Sequence, residues 1–232
     1  NNKNAGDNKT VTVDDVTALT RTDGTGVWSN YNLNQTGALS TTASIAPKAI
    51  TLNGITAVNK VYDGGTAATA STVSAVFDGK ITGDALTVQS TGEFADKNVG
   101  QLKNVSLSHV LGGADLGNYT VSTQSSTTAS ITPKSASVSA TFTQLTYNGA
   151  AQNQSTETRS GFVAGDTITV AGQASGKNAG TYGSSLVVSG QDATNYNITV
   201  NNTNLVIDKA NLTVTANAVT KTYDATFSAS GT

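Results

Sequence analysis

The chain lacks cysteine and methionine, and it is poor in proline, aromatic residues and charge. Its 232 residues include two prolines, 6% aromatic residues and 12% charged residues, with a formal net charge of −2. The absence of cysteine excludes a disulfide framework. The near-neutral charge argues against a nucleic-acid-binding protein, which would carry a basic surface. No apolar run approaches the length of a membrane span.

Thr, Ser, Asn, Gly and Ala dominate the composition, together with β-branched Val and Ile. Disordered segments usually combine high net charge with few β-branched residues, whereas β-branched residues favour strands. Alternating runs such as 49–52 and 196–200 are separated by turn residues roughly every 8 to 12 positions, which is the pattern of a two-sheet sandwich. The sequence therefore predicts an all-β chain, and its low charge is typical of extracellular bacterial proteins.

A short turn motif recurs along the chain. Asp-Gly and Asn-Gly supply the positive φ angles that a two-residue hairpin turn requires, so we expect such a turn in each copy. Ala225 replaces the glycine in the last copy, which predicts a looser or different turn there. The three copies are Tyr62-Asp63-Gly64, Tyr147-Asn148-Gly149 and Tyr223-Asp224-Ala225.

Three further landmarks follow the turn in a fixed order, which indicates internal repeats of roughly 75 to 90 residues. Gly-Asp precedes an alternating run, then comes Lys-Asn-x-Gly, and Asn-Tyr begins a further strand. The copies are Gly83-Asp84 and Gly165-Asp166; residues 3–6, 97–100 and 177–180; and residues 30–31, 118–119 and 195–196.

The repeats predict four segments. We assign 1–46 as the second half of one unit, 47–132 and 133–208 as complete units, and 209–232 as the start of another. Pro47 and Pro133 lie at the junctions, where proline stiffens a short linker. The predicted fold is all-β, a tandem, elongated array of immunoglobulin-like antiparallel β-sandwich domains.

Tyrosines are the expected aromatic anchors of this chain. Asp115 and Asp192 each lie four residues before a tyrosine, and in immunoglobulin-like domains a corner tyrosine bonds back to upstream backbone. We expect core or corner positions for the tyrosines at matching places in the repeats, and core filling by Trp28. Those tyrosines are Tyr62, Tyr119, Tyr147 and Tyr196.

No residue pattern predicts catalysis, a cofactor or a metal. His109 is the only histidine, and we interpret it as a strand-end side chain. Asp14-Asp15 and the turn aspartates (Asp63, Asp84, Asp115 and Asp192) lack the spacing of a calcium loop, so turn formation explains them better. Lys60 and Lys221, which precede the turn tyrosine, raise the question of a Lys–Asn isopeptide bond, but Leu145 stands at the same place in the next unit.

Four motifs together resemble the YDG repeat of large bacterial adhesins, including filamentous-haemagglutinin-like proteins. They are Val-Tyr-Asp-Gly at 61–64, Lys-Asn-Val-Gly at 97–100, Asp-x-Gly-Asn-Tyr at 115–119 and Ile-Thr-Pro-Lys at 131–134. Residues 133–208 are similar to the related MBG repeat, an immunoglobulin-like module. The resemblance implies a surface-exposed or secreted tandem array that acts in adhesion or as a stalk, and it implies no catalytic residue.

Two functions remain open from the sequence. The first is a stalk or filament whose partners are neighbouring repeats and other copies of the chain. The second is a module that binds a host glycan or protein through loops such as 112–114 and 155–161. A polysaccharide-binding accessory domain is disfavoured because aromatic residues are few. The eight Asn-x-Ser/Thr sequons match chance expectation.

The two ends of the chain raise a question of their own. Strand exchange between residues 209–232 of one chain and 1–46 of another is one arrangement. A segment of a longer repetitive polypeptide is the favoured one, because the two segments together lack the Gly-Asp stretch. The sequence leaves open the ligand, the oligomeric state and the secretion route.

Overall fold

The computed structural model describes residues 2–13, 39–216 and 218–228. Within these residues the regular elements are β-strands and two 3-10 turns, Leu116–Asn118 and Ala193–Asn195. None of the described elements is a helix long and apolar enough to cross a membrane. The chain divides into two compact units, Asn1–Pro133 and Lys134–Thr232. The predicted all-β class is confirmed.

The described strands of the first unit run from β1 to β12. They are β1 (Gly6–Val13), β2 (Leu39–Ile45), β3 (Lys48–Asn53), β4 (Thr56–Ala57), β5 (Lys60–Val61), β6 (Ala67–Ala68), β7 (Ala70–Ser71), β8 (Val76–Asp78), β9 (Thr87–Phe94), β10 (Gly100–Gly112), β11 (Tyr119–Thr123) and β12 (Ser126–Thr132). They form a five-stranded sheet in the order β5-β12-β10-β9-β6, a three-stranded sheet β11-β3-β8, and the pairs β4-β7 and β1-β2.

The core of the first unit is made of small and medium apolar side chains with few aromatic rings. Leu52 on β3 and Val105 on β10 have no exposed surface, and Ile131 on β12 is 1% exposed. Tyr62 and Phe94 are the largest fully buried side chains. Buried or half-buried residues alternate with exposed ones along β3 and β9, as expected for strands that cover a core with one face.

The second unit contains shorter strands arranged in smaller sheets. Its described strands are β13 (Lys134–Ser139), β14 (Thr143–Thr146), β15 (Gln152–Asn153), β16 (Thr158–Ser160), β17 (Thr169–Ala171), β18 (Ser175–Gly176), β19 (Gly180–Gly183), β20 (Val187–Ser189), β21 (Tyr196–Asn201) and β22 (Asn204–Asp208). The sheets are β16-β13-β21, β14-β22-β19, β15-β18 and β17-β20. Leu205 and Ile207 of β22 form a core cluster with Ala174.

The two units share their strand register. In the first unit β3 pairs in parallel with β11, with Lys48 opposite Tyr119; in the second, β13 pairs in parallel with β21, with Lys134 opposite Tyr196. The pairing of β5 with β12 is likewise repeated by β14 with β22. The repeats inferred from sequence landmarks therefore correspond to repeated backbone pairing.

The expectation of purely antiparallel sheets is wrong. The pairs β3-β11, β5-β12, β13-β21 and β14-β22 are parallel. Parallel neighbours need a long connection between them, and the first strands of each unit pair with the last strands of the same unit, so the whole unit serves as that connection. Sequence alternation does not record strand direction, which is why the prediction failed.

The strands β1 and β2 repeat part of the first unit's large sheet. Gly6 pairs with Ile45 and Lys9 with Ala43, with a register shift between them. In the same way Gly100 pairs with Ile131 and Lys103 with Ala129, again with a shift. Thus β1 and β2 have the pairing of β10 and β12. Trp28, Asp14-Asp15 and Asn30-Tyr31 lie outside the described residues.

Gly113 allows β10 to pass into the next turn. Its φ is +110°, and a Cβ added there would lie 2.2 Å from the carbonyl oxygen of Ala85. Gly190 occupies the same place in the second unit, with φ of +122° and a Cβ position 2.3 Å from the Thr167 oxygen. Any other residue at this position would have a strained backbone and a Cβ that collides with a backbone carbonyl, so glycine is required.

We expect Gly113→Ala to destabilise the first unit by roughly 2 kcal/mol or more, because the alanine must hold a strained φ and displace backbone. Gly117→Ala is the matched control, since a Cβ there meets nothing within 4 Å, and its effect should stay within about 0.5 kcal/mol. Urea unfolding of both variants, followed by circular dichroism, measures the difference. Equal midpoints for the two variants would contradict the close approach at Gly113.

Candidate functional site

The turn at 62–64 joins opposite edges of the five-stranded sheet. β5 and β6, which flank it, lie at the two ends of the strand order. The Tyr62 amide donates to the Thr132 carbonyl at 2.9 Å on one edge, and the Phe94 amide donates to the Thr66 carbonyl at 2.8 Å on the other. The predicted two-residue hairpin is therefore wrong, because the flanking strands do not pair with each other. Gly64 does have the expected positive φ, +81°.

The ammonium group of Lys60 closes this connection. Its Nζ donates to Asp63 Oδ1 at 2.7 Å, to the Gly65 carbonyl at 2.8 Å and to the Ala67 carbonyl at 3.0 Å. It also lies 5.6 Å from the centroid of the Phe94 ring. The edge strands of a flat five-stranded sheet would be about 19 Å apart, so a single lysine can join β5 to β6 only because the sheet curls. We call this arrangement the lysine clamp.

The carboxylate of Asp63 completes the clamp from within the turn. Its Oδ1 also accepts the amide of Gly65 at 2.9 Å. The hydrogen bond from Lys60, followed by that from the Gly65 amide, lowers the pKa of Asp63. The charged form of the Asp63 carboxylate is therefore favoured at neutral pH. It also stabilises the turn that supplies the acceptors of the Lys60 ammonium group.

The segment 221–228 forms the same clamp. Lys221 Nζ lies 2.5 Å from Asp224 Oδ1 and donates to the Thr226 carbonyl at 3.0 Å and the Ser228 carbonyl at 2.9 Å. These acceptors are three, five and seven residues after the lysine, as in the first copy. Ala225 has φ of +56°, so the same turn forms with alanine, and the expectation of a looser or different turn in this copy is wrong.

The second unit keeps the turn but replaces the lysine. Asn148 Oδ1 accepts the amide of Ala150 at 2.9 Å, and Gly149 has φ of +83°. Leu145, at the place of the lysine, packs against the cluster of Ala174, Leu205 and Ile207. An apolar contact thus takes the place of the ammonium group. Tyr147, expected in the core or a corner, is instead 40% exposed.

A related clamp holds the Lys-Asn-Val-Gly landmark. Lys103 Nζ lies 2.6 Å from Asp96 Oδ1, and the same oxygen accepts the Asn98 amide at 2.8 Å. The Lys103 hydrogen bond lowers the pKa of Asp96. The β-bulge between Gly100 and Lys103, where Leu102 has φ of +47°, brings the lysine back over the turn.

The same bulge occurs at the start of the chain. Lys9 Nζ lies 2.5 Å from Asn2 Oδ1, and the Asn4 amide donates to that oxygen at 3.2 Å. Asn8 has φ of +55° next to the register shift. In the second unit β19 has no register shift; there the Tyr182 ring lies against Gly176, where a Cβ would be 2.2 Å from it.

The Gly-Asp and Asn-Tyr landmarks meet in each unit. Tyr119 donates its hydroxyl proton to Asp84 Oδ2 at 2.6 Å and accepts the Ile81 amide at 3.1 Å. Asp115 Oδ2 accepts the Ala85 amide at 2.8 Å. The Tyr119 hydrogen bond is the main cause of a lowered pKa at Asp84, and the same bond raises the pKa of Tyr119.

The second unit repeats this tyrosine–aspartate pair. Tyr196 donates to Asp166 and accepts the Val163 amide at 2.8 Å, while Asp192 Oδ2 accepts the Thr167 amide at 2.9 Å. In both units the tyrosine bonds to backbone more than 30 residues upstream, whereas a tyrosine corner reaches only a few residues back. The partner aspartate was visible in the sequence as the recurring Gly-Asp, but nothing in a single sequence joins it to the tyrosine.

The chain's first residues contact the tyrosine–aspartate pair of the first unit. Lys3 Nζ lies 3.1 Å from Asp84 Oδ1, and the Ala5 amide donates to Asn118 Oδ1 at 2.8 Å. The Asp84 carboxylate raises the pKa of Lys3. Two landmark motifs, Lys-Asn-x-Gly from residues 3–6 and Gly-Asp at 83–84, therefore meet at one site.

His109 lies on β10, three residues before that strand ends at Gly112. Its Nε2 is 2.6 Å from the Gln124 carbonyl and therefore donates, which leaves Nδ1 to accept the Ser90 hydroxyl at 2.8 Å. His109 thus bonds to a backbone carbonyl, whereas the histidine of a catalytic triad bonds to a carboxylate. The arrangement joins strands and offers no activated nucleophile.

No described residues form a group of three or more histidine, cysteine, aspartate or glutamate side chains that could hold a metal ion. The candidate aspartates each have another role: Asp63 binds Lys60, Asp84 binds Tyr119, and Asp115 and Asp192 bind backbone amides. The lysine of the turn was noticed in the sequence, but its clamp role was missed. The signal was the Lys-x-x-Asp spacing shared by 60–63 and 221–224.

The described architecture is all-β, with the tyrosine–aspartate pair at corresponding places in the two units. Residues 46–129 match the model of the YDG domain, so a YDG domain forms most of the first unit. No curated protein and no solved structure matches the chain significantly.

We expect Lys60→Leu to destabilise the first unit by about 1–2 kcal/mol, because the carbonyls of Gly65 and Ala67 lose their donor. Asp63→Asn should cost less than Asp63→Ala, since an amide oxygen still accepts the Gly65 amide, as Asn148 does for Ala150. Lys48→Leu is the control: Lys48 makes one exposed bond, to the Gly79 carbonyl at 2.7 Å. Its effect should stay within about 0.5 kcal/mol, and chemical unfolding measures all four variants.

Acid should weaken the first unit through Asp84. Its pKa is lowered in the fold, so its stabilising effect is fully present above the unfolded value of about 3.9 and is lost as pH falls through the folded value. The urea concentration at the midpoint of unfolding should therefore decrease when the pH is lowered below about 4. Tyr119→Phe should lower the midpoint at neutral pH and flatten the acid dependence. An unchanged acid dependence in that variant would show that other carboxylates control it.

Proposed function

We propose that this chain is a non-enzymatic, load-bearing segment of a bacterial surface or secreted adhesin. Immunoglobulin-like sandwich units would be joined in tandem to build a stalk or an extracellular filament. The observation that carries the proposal is the repetition of the same structural devices, the lysine clamp and the tyrosine–aspartate pair, at equivalent places along the chain. Such repetition is expected of a segment whose role is shape and strength.

Strand direction supports a mechanical role. In each unit an early strand pairs in parallel with the last strand: β5 with β12, and β14 with β22. When a chain is pulled from both ends, the early strand is drawn toward its N-terminus and the last strand toward its C-terminus. Parallel partners then slide along each other, so their hydrogen bonds are loaded together. A unit with this topology resists stretching more than one whose end strands can be peeled apart.

The turn clamp adds to this resistance. Lys60 belongs to β5 and binds the Ala67 carbonyl of β6, so β5 is held on both sides, by β12 and by the clamp. In the second unit Leu145 of β14 is held by apolar packing. The junction prolines, Pro47 and Pro133, stiffen the connections by fixing φ.

The proposed location is extracellular, on the bacterial surface or secreted. The YDG domain at 46–129 supports it through the resemblance to adhesin repeats, and so does the low charge. The cysteine-free chain needs no oxidising or reducing environment to fold. The proposed partners are neighbouring repeats and further copies of the chain in a filament.

A second candidate function is the binding of a host glycan or protein. A shallow groove on the five-stranded sheet, lined by Thr66, Glu93, Ser106 and Ser108 among others, offers hydroxyls and one carboxylate but no aromatic ring. Segment 155–161 was expected to be a loop, yet Thr158–Ser160 is strand β16. A glycan array probed with the full chain tests this function, and binding lost on Ser106→Leu would favour it over the stalk.

Single-molecule stretching tests the mechanical role. We expect two separate unfolding events, with gains in contour length of about 300 Å for residues 47–132 and about 265 Å for 133–208, at roughly 3.5 Å per residue. Lys60→Leu should lower the force of the longer event only, and Gly117→Ala should change neither. Gradual extension without separate events would contradict the proposal.

A further inference from the structure

The turn that follows β14 exposes an Asn-Gly pair to solvent. Asn148 and Gly149 are both exposed, and β14 ends just before the turn, at Thr146. Gly149 has φ of +83°, and a Cβ added there would meet nothing within 4 Å. The side-chain amide of Asn148 and the backbone nitrogen of Gly149 are therefore neighbours in an open, solvent-accessible turn.

An asparagine that precedes a glycine has a reaction available without an enzyme, and asparagine is for this reason a chemically labile residue. The backbone nitrogen of the glycine attacks Cγ of the asparagine side chain, and a five-membered succinimide ring forms. The Cγ–Nδ2 bond breaks, and the Nδ2 group leaves as ammonia together with the proton of the glycine amide. Water then opens the ring and leaves either aspartate or isoaspartate. Glycine favours the attack because it has no Cβ and its backbone rotates freely.

One hydrogen bond of the turn assists this reaction at Asn148. Its Oδ1 accepts the Ala150 amide at 2.9 Å, so the side chain is held back along the turn, toward the Gly149 nitrogen that lies between the two residues. A side chain that is already oriented loses fewer conformations when the ring closes. The Ala150 amide also remains a donor to Oδ1 when that oxygen becomes negatively charged in the tetrahedral intermediate.

We propose that Asn148 is a site of spontaneous modification, at which the Gly149 nitrogen displaces ammonia from the side-chain amide and water then leaves an aspartate or an isoaspartate in the turn. Water is the only co-reactant. The change replaces a neutral amide with a carboxylate. Because Leu145 stands at the place of the clamp lysine, residues 145–150 offer no ammonium group to the new charge.

The first copy of the turn shows that the aspartate product fits. Asp63 Oδ1 accepts the Gly65 amide at 2.9 Å, which is the bond that Asn148 makes to Ala150, and Gly64 has φ of +81°. An aspartate at position 148 therefore keeps the turn. An isoaspartate instead lengthens the main chain by one carbon and moves the carboxylate away from its acceptor position, so that product opens the turn.

The only other Asn-Gly pair in the sequence provides an internal comparison. Asn53 is also exposed, but it is the last residue of β3 and pairs with Val76 of β8. A Cβ at Gly54 would lie 2.1 Å from the Ser74 carbonyl oxygen, so the backbone is tightly packed there. In a strand the side chain projects away from the line of the backbone. The ring therefore closes at Asn53 only after the end of β3 opens.

Peptide mapping of the full chain measures both sites at once. Trypsin, which cuts after lysine and arginine, places Asn53 in peptide 49–60 and Asn148 in peptide 135–159. The chain is kept in mildly alkaline buffer, and each modification raises the peptide mass by about 1 Da, which fragmentation assigns to one residue. We expect the conversion of Asn148 to be at least about tenfold faster than that of Asn53, because Asn53 must await local opening.

The chain unfolded in concentrated urea is the reference for this measurement. There the two rates should agree within about twofold, since each pair then lies in a flexible chain. Equal rates at the two sites in the folded chain would overturn the proposal. So would an Asn148 peptide that keeps its mass in the folded chain over the time in which the unfolded chain is converted.

Gly149→Ala tests the route of attack. Ala225 holds φ of +56° in the last copy of the turn, and a Cβ at position 149 has open space, so this variant keeps the turn. The added Cβ hinders the nitrogen, and conversion of Asn148 should be at least about fivefold slower. Gly117→Ala, at an equally open glycine outside this turn, is the matched control and should leave the rate unchanged. An undiminished rate in Gly149→Ala would contradict ring closure as the route.

Asn148→Asp produces the aspartate product directly. This variant should unfold at the same urea concentration as the parent chain, because Asp63 makes the equivalent bond in the first copy. A lower urea concentration at the midpoint would show that the turn rejects the carboxylate and would contradict this part of the proposal. Neither peptide mass nor urea unfolding requires adhesion or load, so the modification and the stalk function are tested separately.

Discussion

The bonds made by one ammonium group, that of Lys60, determine how the first unit closes. A chain this poor in aromatic residues has little apolar volume with which to hold the edges of a curled sheet together. The ammonium group instead satisfies the Gly65 and Ala67 carbonyls and the Asp63 carboxylate at once, with a ring of Phe94 beneath it. Because two of its three acceptors are backbone carbonyls, the arrangement depends largely on the path of the backbone. Such a device suits repeats that diverge in sequence while they keep one backbone pairing.

The second unit shows how far this divergence extends. Leu145 replaces the lysine and packs on Leu205 and Ile207, and the Tyr182 ring against Gly176 replaces the bulge clamp of the first unit. The strand register nevertheless stays the same. Polar closure and apolar closure are thus alternative solutions for one topology. The second unit keeps the same tyrosine–aspartate hydrogen bond, between Tyr196 and Asp166. This indicates that fewer residue pairs can replace this contact than can replace the clamp.

The sequence predicted the parts of the structure that depend on local chemistry. Gly64 and Gly149 have the positive φ that Asp-Gly and Asn-Gly imply, and the recurrence of landmarks corresponds to recurrent pairing. Strand direction and turn connectivity were not predictable, because alternation of side chains is the same in parallel and antiparallel strands. The exposure of Tyr147 was missed because its counterpart Tyr62 is buried, whereas β14, which precedes Tyr147, belongs to a sheet of three strands instead of five.

The lysine clamp is also a local contact along the chain. Its three acceptors lie within seven residues of the lysine. The strand that pairs with β5, β12, lies about 70 residues further along the chain. The chain is synthesised from its N-terminus, so the turn at 60–67 can form before β12 has been made. Neighbouring repeats of similar sequence risk exchanging strands as they fold. The turn forms early and differs between adjacent units. Both properties favour pairing of each early strand with the last strand of its own unit.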